Sequence, residues 1–211
     1  MSKHITIALP KGRLADRTIE VLERCDIDCS ALKEDTRRLV LTDASGKYKF
    51  IFVKPSDVPT YIERGVADIG IAGKDTLLET SADVYEVANL GFGKCKMCVA
   101  GFENRIGKVA SGNLKVATKY ENIARQYYEA KGINVDIIKL NGSVELGPIV
   151  GLSDVIVDIV ESGKTLKANG LVVLEEICEL TARLIVNKIS LKLKAQTICP
   201  LIKKITEALS K

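Results

Sequence analysis

The chain has 211 residues, 46% hydrophobic and 27% charged, with 31 basic against 27 acidic side chains and a net charge of +4. That length suits one large or two small domains with a real core. No block of basic residues is interleaved with aromatics, so a nucleic-acid partner is not expected, and no apolar run approaches the roughly 20 residues that span a membrane.

The N-terminus, "MSKHITIALPKGR", has no signal-peptide core and runs straight into a short strand at 5–9. Residues 14–25 have helical spacing. "RLVLT" and "YKFIFV" form a hairpin-like pair around Asp43–Gly46. "SDVPTYIERG" (56–65) reads as a short helix capped by Ser56 or Asp57 and closed by Gly65. "ADIGIAG" (67–73) is a buried strand ending in a glycine. After "VYEVANL", Gly91-Phe92-Gly93 marks a hinge. A second set follows: strand "LKVAT", helix "ENIARQYYEAKG", strand "VDIIKL" and the segment "SVELGPIVG". "LVVLEEICEL" and "TARLIVN" are strands that carry the chain back before a terminal helix of about twenty residues.

This alternation implies α/β layers. Two similar halves joined by hinge strands would leave a cleft between them. In open α/β sheets ligands sit beyond the carboxyl ends of strands, so glycine-rich strand exits are the places to look.

The six cysteines show no framework spacing, and a reduced, cytoplasmic setting is expected. Cys95 and Cys98 are three apart in an alternating segment, which points them to opposite faces of a strand. With His4 the single histidine, a metal or redox role is not expected. Cys25 and Cys29, one helical turn apart, read the same way, as small buried hydrophobes.

Three strand exits carry chemistry. At Pro10-Lys11-Gly12-Arg13, two cations flank a helix start that is itself an anion site; an ordinary βα turn has the same composition. Gly73-Lys74-Asp75 opens another helix, with Asp75 equally readable as an N-cap. The third is "DVIVDIVESGKTL" (154–166). Its Ser162-Gly163-Lys164-Thr165 resembles the end of a P-loop, but Asp158 stands where that loop needs its first glycine. A strand at 155–157, an acid at its exit and a hydroxyl-rich glycine loop suit a phosphorylated sugar. The loop holds the 5-phosphate and Asp158 accepts ribose hydroxyls. Asp154 lies about 13 Å away along the strand, so it is assigned to the strand start or a supporting place. Glu145, in "SVELGP", is a further inward carboxylate or a surface helix position.

"ALPKGR", "DVPTYIERGVADIGIAGKDTLLE", "KLNGSVELGPIVGLSDVIVDIVESGKTLKANGL" and "ARLIVN" resemble, in order and over nearly the whole chain, the short form of the ATP phosphoribosyltransferase family. Gly147 and Ser153 stand where alanine is usual, and Lys164 fills a variable loop position. The resemblance implies two α/β domains like type II periplasmic binding proteins, with the active site in the cleft. Residues 1–92 plus 181–211 would form the ATP-side domain, and 93–180 the domain with the phosphoribosyl pyrophosphate (PRPP) loop. It implies the first step of histidine biosynthesis: adenine N1 of ATP attacks the anomeric carbon of PRPP, giving phosphoribosyl-ATP and pyrophosphate with Mg²⁺ present. Glu161, Ser162, Gly163, Lys164 and Thr165 would anchor the 5-phosphate, with Asp158 on the ribose and Glu145 and Asp154 beside it. Lys11 and Arg13 would neutralise polyphosphate, and Gly12, Lys54, Gly73, Lys74 and Asp75 would complete the ATP side. No metal ligands are assigned. The implied partner is a regulatory subunit similar to histidyl-tRNA synthetase, in a hetero-oligomer. The alternative is a two-lobed small-molecule-binding or effector-sensing module without catalysis, since "ERGVADIGIAG" also suits such binders. That reading needs an export signal or a DNA-binding helix pair, and the sequence shows neither.

Overall fold

The computed structural model describes residues 4–33, 37–105 and 114–209. In chain order, β1 (Ile5–Pro10) leads to α1 (Arg13–Glu23) and the short α2 (Ser30–Lys33). Then come β2 (Val40–Thr42), β3 (Tyr48–Val53), α3 (Val58–Glu63), β4 (Ile69–Gly73), α4 (Lys74–Thr80) and β5 (Tyr85–Asn89). These are followed by β6 (Cys95–Gly101), β7 (Leu114–Thr118), α5 (Glu121–Ala130), β8 (Val135–Lys139) and α6 (Leu146–Ile149). Next are β9 (Val155–Val160), α7 (Lys164–Ala168), β10 (Val172–Leu180), β11 (Ala182–Val186), α8 (Lys188–Leu193) and α9 (Ala195–Leu209). Contacts gather into two compact units, Met1–Gly93 with Thr181–Lys211, and Lys94–Leu180.

The first unit holds a sheet in the order β2-β3-β1-β4-β11-β5. β1 runs parallel to β3 and β4, while β11 lies antiparallel between β4 and β5. Every residue of β1 is buried, as a central parallel strand covered on both faces must be. Ile5, Ile7 and Leu9 pack with Leu22 of α1 and with Ile198, Leu201 and Ile205 of α9. Ala8 faces the other way, onto Val58 and Ile62 of α3. The hairpin of β2 and β3 forms as its sequence predicts, with the Asp43 carboxylate accepting from Tyr48 N at 2.8 Å.

A buried ion pair closes this unit. The Asp68 side chain is 6% exposed and lies 2.8 Å from Lys194 Nζ. Asp68 also accepts from Thr6 N at 2.8 Å and Ser190 Oγ at 2.6 Å. Lys194 has left helical geometry (φ −117°, ψ 22°), and its ammonium also donates to the His4 carbonyl. The terminal segment is therefore two helices, not one of about twenty residues. Asn187 caps the first of them, accepting from Ile189 N and Ser190 N and donating to the Ile62 carbonyl at 2.7 Å.

Two local expectations are corrected. α1 ends at Glu23, so Cys25 and Cys29 do not share a helix, although both are buried. Pro55–Asp57 form a 3₁₀ turn ahead of α3, and Asp57 takes the N-cap position of α3 without a capping bond to the helix backbone, its carboxylate accepting instead from Ser56 Oγ at 2.9 Å.

The second unit holds a sheet in the order β10-β6-β9-β7-β8. β7, β8 and β9 are parallel, β6 is antiparallel to β9, and β10 is antiparallel to β6. Ala100, Ala117, Val144, Ile156, Leu166 and Leu171 form its core on one face. On β6, Cys98 is buried and Cys95 half-buried. Among the described residues, no helix is long and apolar enough to cross a membrane.

Candidate active site

The second unit contains a cavity of about 260 Å³ at the carboxyl end of β9. Glu145, Asp158 and the whole loop Glu161–Thr165 line it, over an apolar floor that includes Ala100 and Ile156. Local rules explain the loop. Gly163 adopts the left-handed conformation (φ 69°) at the N-cap of α7, which an L side chain disfavours. That turn carries the chain from the strand into the helix and leaves Ser162, Lys164 and Thr165 around the opening.

Asp158 lies inside β9, not at its exit. β6 pairs with β9 as far as Lys96↔Val160, whereas the β7 ladder stops at Thr118↔Val157. The carboxylate thus sits on a strand held firmly from one side and just released on the other. Cys98 is its partner across β6, and directly opposed residues share a face. Burial first, then the Glu176 charge, pushes the Cys98 thiol up, which keeps it protonated and adds no negative charge beside Asp158.

Asp154 is not brought to the cavity. It stands at the start of β9, where its carboxylate accepts from Lys115 N at 3.0 Å and its own N–H donates to the Lys115 carbonyl. That is the strand-start place its spacing along the strand predicts. Glu145 does line the cavity, at the N-cap position of α6.

In the first unit, the parallel pairing of β1 with β3 and β4 sets three exits side by side. Pro10 pairs with Val53, and Lys11 N donates to the Val53 carbonyl at 2.9 Å, so Lys11 and Lys54 leave adjacent strands. Lys11, Gly12, Arg13 and Lys54 are all exposed. Gly12 has φ 100° and ψ −162°, a backbone state that is nearly glycine's alone. At the β4 exit, a Cβ on Gly73 would collide with Asp75 Oδ1, so a larger residue there would have to displace that carboxylate. Asp75 is in the first turn of α4, whose N-cap is Gly73. The Lys74 ammonium is 2.6 Å from Glu86, which also pairs with Arg183 at 3.1 Å. Lys74 is thus half of an ion pair that its sequence position did not reveal.

The model of the HisG family, ATP phosphoribosyltransferase, matches residues 54–210. The ATP phosphoribosyltransferase of Ruminiclostridium cellulolyticum is 53% identical over 210 residues, 99% of this chain and 98% of that one. That of Thermoanaerobacter sp. strain X514 is 56% identical over 205 residues, 97% and 96% of the two chains. The chain belongs to the ATP phosphoribosyltransferase family. Among solved structures, the Thermotoga maritima ATP phosphoribosyl transferase (HisG:HisZ) complex matches with a TM-score of 0.85 and 35% identity, covering 98% of both chains. The periplasmic aliphatic sulphonate binding protein SsuA of Escherichia coli matches with a TM-score of 0.60 at 13% identity, over all of this chain and 74% of that one. At that identity the likeness is one of fold, and it is the type II periplasmic-binding-protein architecture expected of an ATP phosphoribosyltransferase.

Proposed function

We propose that this chain transfers the phosphoribosyl group of PRPP to N1 of ATP, releasing pyrophosphate and forming phosphoribosyl-ATP. The observation that carries the residue assignments is the convergence of Asp158 and the loop Glu161–Thr165 on one cavity. Loop N–H groups, the Ser162 and Thr165 hydroxyls and the Lys164 ammonium hold the 5-phosphate. Asp158 accepts the ribose hydroxyls and stabilises positive charge that develops on the ring as pyrophosphate leaves. Adenine N1 is already a lone-pair nucleophile, so no general base has to create it. Rate enhancement rests on orientation and preorganised charge. Lys11, Arg13 and Lys54, exposed at adjacent strand exits, take the polyphosphate side, with Gly12, Gly73 and Asp75 shaping the backbone there.

Among the described residues no three His, Cys, Asp or Glu side chains converge on a metal position. Mg²⁺ fits such a donor set by keeping mostly water and phosphate oxygens, and the cavity carboxylates Glu145, Asp158 and Glu161 are the groups that could add a protein ligand. Bound there, the ion would supply positive charge to the pyrophosphate. The regulatory partner is a HisZ-type subunit, supported by the match to the Thermotoga maritima complex.

The test is the melting temperature of the chain with PRPP plus Mg²⁺, with ATP, and with amino acids, each separately. A ligand at a hundred times its dissociation constant adds about 2.7 kcal/mol. Stabilisation by PRPP that Asp158→Asn abolishes supports the assignment. Stabilisation by an amino acid alone would replace it with a binding module.

A further inference from the structure

The peptide that leads into Asp158 has an unusual support. β6 accompanies β9 along its whole length, but β7 ends at the pair Thr118↔Val157. Beyond that point the ladder on the β7 side is finished, one residue before the carboxylate. There the Thr118 hydroxyl donates to the Val157 carbonyl at 2.6 Å. The same Oγ1 accepts from Tyr120 N at 2.8 Å. Tyr120 is the N-cap residue of α5, and its own side chain makes no capping bond. Thr118 is 0% exposed and does not line the cavity.

One buried hydroxyl therefore joins three things: the end of β7, the start of α5 and the carbonyl of the peptide from which Asp158 projects. The other end of the β7–β9 pairing is closed by the Asp154 carboxylate on Lys115 N, so side chains fasten the ladder at both ends. Given the assignment of Asp158 to the ribose of PRPP, we propose that Thr118 is a positioning residue that sets the backbone plane of Asp158. It touches no substrate and acts through the Val157 carbonyl alone. Valine has nearly the same shape and can fill the same space, but it would leave both the Val157 carbonyl and the Tyr120 N–H without this partner. Small misplacements of a binding group lower rates steeply, so the effect should appear at the PRPP site before it appears anywhere else.

The experiment compares Thr118→Val, Thr118→Ser and Asp158→Asn in the full chain. PRPP affinity is measured by calorimetry with Mg²⁺, together with kcat and KM for each substrate. Thr118→Val should bind PRPP about ten-fold more weakly, a change worth about 1.4 kcal/mol, with KM for ATP unchanged. Thr118→Ser, which keeps the hydroxyl, should return PRPP affinity to near wild type. A Thr118→Val protein with a lowered melting temperature but wild-type PRPP affinity would overturn the inference, as would equal losses toward both substrates. If Asp158→Asn itself binds and turns over PRPP normally, the ribose assignment falls; if only that variant is impaired, the positioning role alone falls. Should Thr118→Val fail to fold, Thr118→Cys, whose thiol is a weak donor and acceptor, is compared with Thr118→Ser in the same way.

Discussion

Ser153 Oγ fills the space that a side chain on Gly147 would need. A Cβ at Gly147 would lie 2.6 Å from that oxygen and 3.0 Å from Ala117 Cβ. The oxygen is buried and has no hydrogen-bond partner among the described residues. These are the two positions where the family resemblance gives alanine as usual, so the glycine and the serine compensate one another. Gly147→Ala alone should destabilise by about 1–3 kcal/mol, the usual effect of overpacking. Ser153→Ala alone removes an unsatisfied hydroxyl and should be neutral or mildly stabilising. The double variant should recover most of the loss. Urea denaturation of all four proteins measures the coupling, and strictly additive effects would contradict the steric account.

Thr165→Ala tests the loop. If the loop holds the 5-phosphate as proposed, removing this hydroxyl should weaken PRPP binding by about 1.5–3 kcal/mol, with ATP affinity unchanged. Calorimetric titration of each substrate separates the two. An equal effect on both would rule out a dedicated phosphate loop.

Asp68→Asn should be strongly destabilising, by about 3–5 kcal/mol, because it strands the Lys194 ammonium against a buried neutral group. Pairing it with Lys194→Met should restore part of the stability. A loss below about 1 kcal/mol, seen in chemical denaturation, would mean the pair behaves like one on the surface.

Thiol titration gives an alkaline limit to stability. Burial, reinforced by the Glu23 charge, lifts the Cys29 thiol from 9.0 to about 11, and burial also lifts Cys25 and Cys98. Above about pH 9 the unfolded chain releases these protons while the folded chain keeps them, so stability falls as pH rises through that window. The melting temperature should be lower at pH 10 than at pH 8, and Cys29→Ala should remove part of that drop. Iodoacetamide at pH 8 should label exposed Cys199 in the folded protein, and Cys29 only after urea is added.

What could be seen in the sequence follows physical range. The exits at Gly12, Gly73 and Gly163 are local events, where a strand's apolar run meets a glycine and a helix start, and all three stand where the residues placed them. Asp158 was identifiable because it replaces a glycine in a familiar loop pattern. Spacing alone set Asp154 apart from it, at about 13 Å along the strand; the bond to Lys115 that holds Asp154 at the strand start is a tertiary fact. The break at Lys194 and the Glu86 bridge between Lys74 and Arg183 have the same origin. Each depends on partners more than ten residues away, and Asp68 and Lys194 are separated by 126 positions. Thr118 gave no signal, because a threonine at a strand end is ordinary until its hydroxyl is seen bonding both ways.

The placement of β11 has a consequence for how the chain is made. Among the described residues β5 pairs only with β11, and β11 also covers the edge of β4. A growing chain that has just emerged through Leu180 holds every strand of the second sheet, whereas the first still has a gap between β4 and β5. The second unit, continuous in sequence, is thus free to fold during synthesis. The first must keep the β4 edge unpaired until β11, and then α9, arrive to close it. Strand edges left waiting in this way are where newly made chains aggregate, so a chain truncated between Leu180 and Val186 would keep the β4 edge unpaired and be prone to aggregate.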